Sequence, residues 1–437
     1  MMVWRLFITG LFLLLGASLA QATAPIQEAR LDNGLRIMLM EAHHVPMVVM
    51  RLTVPAGSRF DSAHKGGSAS LLSAMLTDHT ARHDYKAWAD MLDASAIRLG
   101  GDVDREALSL DLTVLKEALP EGVSSLAEAA LQPGWNQKRF DIMQSDNISA
   151  AKKSLEQPGV QAALLSAKLL FADHPYGHRS DGDVESLTNI RLKDLQTLYR
   201  NQFKPEGSVL AVSGDVTMDE LLALLKPAFS GWQGKPAIAL DNIAAPKTVT
   251  GKIVRKDLQT RQALVQLVRL GPTRHDDGFF ADMLMNHILG GGGFASRLMT
   301  EVREKKGLVY GVYSYFIPLT VAGPFAITLQ TRADQAGQAT EVVRKVLAEM
   351  YQNGVTAKEL KAAKANLVGS FAHRMDSNAK RVGLMSMVGF YGLPLDYLQN
   401  WTRRIEAVTL AEVQKQAHDF LNPEQWNQIR IGPRPAQ

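Results

Sequence analysis

The chain has 437 residues, long enough for two or three domains that each bury a core of their own. Its composition is that of an ordinary globular protein. Against 44 acidic residues stand 48 Lys and Arg, a formal charge of only +4 spread without a basic block, so nucleic acid is not an indicated partner. There is no cysteine, so disulfides neither brace the chain nor report its compartment.

The N-terminus carries Arg5, an apolar stretch ending in LFLLLGA, and the small residues Ser18, Ala20 and Ala22. This pattern reads as a secretory signal peptide over residues 1–22, cut after Ala20 or Ala22. The rival reading is an uncleaved membrane anchor, since the apolar run approaches a bilayer span. Two strands are then expected at 26–31 and 35–40 about the turn Asp32-Asn33-Gly34, followed by a third at Met47–Val54. A helix over 66–80 has Leu71, Leu72, Met75 and Leu76 on one side, and Tyr85–Ala94 reads as another. Residues 96–114 read as two strands turning at Gly100-Gly101, and helices fill much of 115–171. A helix over 192–203 and a strand over 208–212, ending at Gly214, complete this half.

Residues 233–252 lack helical period and contain Pro236 and Pro246, which marks a linker, placed at 236–250. Beyond it the sequence repeats. At an offset of 218 residues, half the chain, Ile190 matches Val408, Leu195 matches Val413, Phe203 matches Leu421, Pro205-Glu206 match Pro423-Glu424, and Gly214 matches Gly432. In a weaker echo Ala69, Leu71 and Leu72 align with Ala281, Met283 and Leu284. The expectation is an α+β fold of two homologous domains, 23–235 and 251–437, each a mixed sheet with packed helices, facing each other like a clam around a ligand cleft.

The second half contains LGGGGFASRLMTEVREKKGLVYGVYSYF at 289–316, expected as glycine loop, helix and strand. Gly290, Gly291, Gly292 and Gly293 permit positive φ, and Arg297, Leu298, Val302 and Arg303 fall at helical spacing. Gly307 ends the helix, and alternation follows from Leu308 to Tyr315. Arg303 and Tyr310 then converge across the turn, where a guanidinium and a phenol can both donate to one carbonyl oxygen. The same residues also have bland readings: a helix-end cation, a half-buried strand aromatic and a flexible connection.

Four segments together resemble the pitrilysin or insulinase type of zinc peptidase, the family of mitochondrial processing peptidase and bacterial periplasmic relatives. They are AGSRFDSAHKGGSASLLSAMLTDHT, HPYGHRSDG, the 290–316 stretch and FYGLPLDYL. The resemblance covers nearly all the chain after the signal. It implies two homologous domains per chain, with two chains closing over an unfolded peptide. Active members carry His-x-x-Glu-His on the first-domain helix, placing two imidazoles on one zinc and a glutamate beside its water, with a distant glutamate as third ligand. Here those positions read Ser70, Ser73 and Ala74, and the run from Asn147, where the third ligand should fall, has no carboxylate. The chain is therefore expected to hold no metal or cofactor. His43, His44, His64 and His79 do not pair at helical spacing with a carboxylate and read as solvated or turn residues, while His174 and His178 fit the family's loop motif.

By the same resemblance Arg303 and Tyr310 would grip substrate and stabilise the oxyanion, and Gly290–Gly293 would touch the peptide, with zinc borne by a partner subunit. The implied function is a zinc-less subunit of a periplasmic heterodimeric metallopeptidase, inactive alone, with no nucleic acid partner and no stable membrane insertion after signal cleavage. The alternative is a scaffold or peptide-binding homologue without catalysis. An unrelated active site has little to draw on: there is no Gly-x-Ser-x-Gly, and GGGGF lacks the ending of a phosphate loop.

Overall fold

The computed structural model describes residues 25–433, so the expected signal segment lies outside the described residues. Six strands form the first sheet: β1 (Gln27–Arg30), β2 (Arg36–Glu41), β3 (Met47–Val54), β4 (Arg98–Val103), β5 (Leu108–Leu115) and β6 (Val209–Gly214), ordered β1-β2-β6-β3-β5-β4. The helices of this half are α1 (Ser68–Asp78), α2 (Tyr85–Ala94), α3 (Leu119–Leu131), α4 (Gln137–Ser154), α5 (Pro158–Phe171), α6 (Val184–Asn189), α7 (Leu192–Gln202) and α8 (Met218–Phe229). The second sheet comprises β7 (Ile253–Asp257), β8 (Gln262–Leu270), β9 (Val312–Phe316), β10 (Pro324–Arg332) and β11 (Asn427–Gly432), ordered β7-β11-β8-β10-β9. With it go α9 (Phe279–Asn286), α10 (Ala336–Asn353), α11 (Ala357–Ser370), α12 (Asn378–Phe390), α13 (Trp401–Ala407) and α14 (Leu410–Phe420).

Apart from β1 the two sheets have one topology. The parallel pair β2–β6 recurs as β7–β11, and the antiparallel run β6-β3-β5-β4 recurs as β11-β8-β10-β9. Starting at Leu192 and Leu410, α7 and α14 stand 218 residues apart, as do β6 and β11. The β1–β2 turn forms because Gly34 takes φ 93° and the Asn33 side chain accepts from the Leu35 N–H while donating to the Phe229 and Trp232 carbonyls.

The turn expected at Gly100-Gly101 is elsewhere. Both glycines lie inside β4, and the chain reverses at 104–107, where the Asp104 carboxylate accepts from the Glu106 and Ala107 N–H groups. Gly101 answers to packing instead: a Cβ there would fall 2.2 Å from the Ser73 Oγ of α1.

Each sheet has one face covered by helices of its own half and the other by a helix from the opposite half. Along β3, Val48, Met50, Leu52 and Val54 join the core beneath α1 and α3, whereas Val49 faces the cluster that contains Val382, Met385 and Val388 of α12. In β8, Val265 and Leu267 face the second-half core, whereas Leu264 and Val268 meet Ala162, Leu170 and Phe171 of α5. Polar contacts repeat the exchange: Ser386 of α12 bonds Thr53 at 2.6 Å, and Ser166 of α5 donates to Gln266. Residues 233–252 are irregular and tied down, with Arg59 donating to the Leu240 and Asn242 carbonyls.

Glu106, fully buried at the tip of the β4–β5 hairpin, joins the halves. Its carboxylate accepts from the phenols of Tyr176 and Tyr391 and from the Thr320 backbone N–H, and Arg59 stands 3.8 Å away. Burial, then the neighbouring Glu106 charge, pushes both phenol pKa values far up, so they remain donors.

Candidate functional site

The segment after α9 departs from the expected loop, helix and strand. Residues His287–Gly291 form a π turn, Gly293–Ala295 a short 3₁₀ turn, and Met299–Glu304 a second π turn extending the helical residues 297–298. Such wide turns are uncommon and gather at functional sites. The strand begins only at Val312, because the Leu308 carbonyl is taken by the Thr331 hydroxyl and the Val312 N–H points at the Met299 sulfur. Tyr310 therefore sits in the loop before β9.

Of the four glycines, Gly290 is buried where a Cβ would lie 2.6 Å from the Ser314 Oγ, and Gly291 and Gly292 press on Asn286 and His287. Gly293 alone takes positive φ, 60°, and faces open space. These glycines thus let the π turn pass close under β9, and Gly293 presents the residue after it.

That residue is Phe294, 65% exposed, and it completes a group the sequence only half revealed. The Arg303 guanidinium lies 4.8 Å from the Phe294 ring centroid and 5.4 Å from that of Tyr310, which is 88% exposed. The turn between Arg303 and Tyr310 closes through the Gly307 N–H on the Arg303 carbonyl, at 2.8 Å, and the Leu308 N–H on the Val302 carbonyl. Among the described residues neither the guanidinium nor the Tyr310 hydroxyl has a hydrogen bond or ion pair. Their donors are free for a ligand. Arg297, six residues before Arg303, is spent on Glu359 at 2.6 and 2.8 Å, and that pair holds the Glu359 carboxyl down at about 2.

The four positions where the resemblance places zinc ligands and base do not fit a metal. Ser70, Ser73 and Ala74 lie on α1, and Ser73 Oγ is buried over Gly101 with no hydrogen-bond partner among the described residues. Asn147 on α4 uses its amide to donate to the Met143 carbonyl at 2.8 Å. Alanine has no donor atom, and serine hydroxyls are poor zinc ligands. His79, His174 and His178 are tied into the fold. His79, expected as a solvated or turn residue, is only 3% exposed: it bonds Asp78 at 2.9 Å and accepts the Asn136 N–H. His174 and His178 bond the Ala244 and Ser58 carbonyls, and exposed His43 bridges Glu41 and Asp215. Among the described residues no group of three or more His, Cys, Asp or Glu could hold a metal ion.

Residues 36–172 match the family description "Insulinase (Peptidase family M16)" and residues 189–367 match "Peptidase M16 inactive domain". A solved peptidase M16 inactive domain from Pseudomonas fluorescens is 33% identical, superposes with a TM-score of 0.89, and matches over 94% of this chain and 98% of its own. A non-peptidase homolog, YmxG, of Helicobacter pylori is 27% identical over 416 residues, 94% of this chain and 95% of its own length. An uncharacterised zinc protease of Mycobacterium tuberculosis is 26% identical over 421 residues, covering 95% and 94% of the two chains.

Proposed function

This chain belongs to peptidase family M16, and on that premise we propose that it is the zinc-less subunit of a periplasmic heterodimeric metallopeptidase. It brings Arg303 and Tyr310 to a partner subunit that carries His-x-x-Glu-His. Hydrolysis belongs to the partner's centre, and this chain binds the peptide and donates hydrogen bonds to the carbonyl oxygen as it gains negative charge. The observation that carries this reading is a contrast of side chains. The metal positions hold Ser70, Ser73, Ala74 and Asn147, while Arg303 and Tyr310 stand together with unspent donors. Edge strand β4 supports the substrate class, because among the described residues no strand pairs with its outer side, where an extended peptide could add. The signal-like N-terminus supports a periplasmic location.

The purified chain alone should not cleave peptides. Co-purified with an M16 chain bearing His-x-x-Glu-His, it should restore cleavage, and Tyr310→Phe should lower kcat on the order of a hundredfold with KM little changed. Full activity of the isolated chain would sink the proposal. A rate unchanged by Arg303→Ala would favour a scaffold without a catalytic contribution.

A further inference from the structure

The helix and edge strand that frame the vacated metal positions in the first half have counterparts in the second half, and there they frame a pocket. Ser73 of α1 meets Gly101 of β4, and Asn286 of α9 meets Ser314 of β9, whose hydroxyl donates to the Asn286 Oδ1 at 2.7 Å. The second contact repeats the first with both residues shifted by 213, one residue beyond the sequence echo. Met283, Asn286 and His287 therefore present the helix face that Ser70, Ser73 and Ala74 present in the first half. They line a pocket of about 290 Å³, walled also by Arg274 and Arg374 and by Phe279, Phe316 and Leu367.

Its charges are unbalanced. No Asp or Glu lines it. Exposed Arg374 lies 5.3 Å from the Trp401 ring and, among the described residues, has no hydrogen bond or ion pair through its guanidinium. Arg274 donates one N–H to the Pro318 carbonyl at 3.2 Å, while its Nε is buried with no hydrogen-bond partner among the described residues. The His287 ring likewise has no hydrogen-bond partner among the described residues, and burial, with Arg374 nearby, holds its pKa below the usual value. Two guanidiniums and an imidazole beside apolar walls match a ligand that has an anion at one end and an apolar body next to it.

We propose that this pocket binds the C-terminal residue of a peptide, its α-carboxylate on Arg274 and Arg374 and its apolar side chain against Phe279, Phe316 and Leu367. The site does not depend on any role of Arg303 or Tyr310 and would serve a scaffold equally. The test is fluorescence anisotropy with a labelled octapeptide ending in leucine, as free acid and as amide, plus an amidated peptide whose last residue is glutamate. The free acid should bind at least tenfold more tightly than the leucine amide. Arg374→Gln should remove most of that preference without moving the melting temperature, whereas Arg403→Gln, exposed on α13, should leave it intact. Equal affinity for acid and amide, binding of neither, or an unchanged preference in Arg374→Gln would overturn the proposal. So would tighter binding of the amidated glutamate peptide, which would make the site one for acidic side chains, or displacement of both leucine peptides alike by inorganic phosphate, which would make it a general anion site.

Discussion

Arg297 and Arg303 leave the same turn-rich stretch with different tasks. Arg297 is locked to Glu359, which also caps α11 through Thr356, so it anchors the helix start. Arg297→Ala should lower stability by about 1–2 kcal/mol, read as a shift in denaturant midpoint, because a part-buried bidentate pair and its cap support are lost together. Among the described residues Arg303 lies against two aromatic faces, which confine it without consuming its donors. Phe294→Ala should leave stability within about 0.5 kcal/mol, as befits an exposed ring. In the proposed heterodimer it should cut turnover several-fold, less than Arg303→Ala should. Equal rates for wild type and Phe294→Ala would show that the ring does not position the guanidinium. The sequence placed Arg303 and Tyr310 near each other through helix spacing and the Gly307 turn. It did not reveal Phe294, whose only signal was a large aromatic set directly after four glycines.

At the scale of elements, α9 shows how duplication diverges. Asp282 on it is 1% exposed, one carboxylate oxygen has no hydrogen-bond partner among the described residues, and burial pushes its pKa up to about 7. Asp276 opposes ionisation further, and Lys415 offsets part of it. The folded state therefore holds a proton that the unfolded chain, with an aspartate near its ordinary value, has released. Stability from this group is present at about pH 4 and falls as pH rises through about 7. Asp282→Asn should accordingly stabilise the protein at pH 8, by on the order of a few kcal/mol, and make little difference at pH 4. Chemical denaturation at the two pH values checks this, and an equal effect at both would exclude ionisation as the cause. In the first half most strand and helix identities were legible from apolar period and turn residues, whereas in the second the repeat carried α14 and β11 and residues 287–304 wind as π and 3₁₀ turns where a loop and a helix were expected. The β4 turn was not, because Gly100 and Gly101 look like a reversal in sequence while Gly101 is fixed by the side chain of Ser73 on another element.

For the whole molecule, the exchange of α5 and α12 ties the two sheets into one unit. Removing either half would bare a sheet face, such as Val49, Val209 and Ala211 without α12, and the chain should unfold in one transition. Expression of residues 25–235 or 251–433 alone should yield aggregated or unfolded material. A cooperative melt of either piece would refute this coupling. Glu106 adds a polar pin at the same junction, and Glu106→Ala should cost about 3–5 kcal/mol, since it strands the buried Tyr176 phenol, the half-buried Tyr391 phenol, a backbone N–H and the charge of Arg59. Urea unfolding would measure that loss.

The sequence by itself determined the duplication, most element types of the first half and the lack of metal-binding atoms on α1. Those depend on residue identity at fixed local spacing, and a serine or alanine lacks imidazole wherever the chain takes it. Only the tertiary structure decided which helix covers which sheet, that Glu106 is shared between the halves, and that Arg303 lies between Phe294 and Tyr310. Those contacts join residues far apart in the chain, or separated by π and 3₁₀ turns that no apolar period foretells. They are set when the two sheets, each too apolar on its second face to stand in water, close on one another's helices.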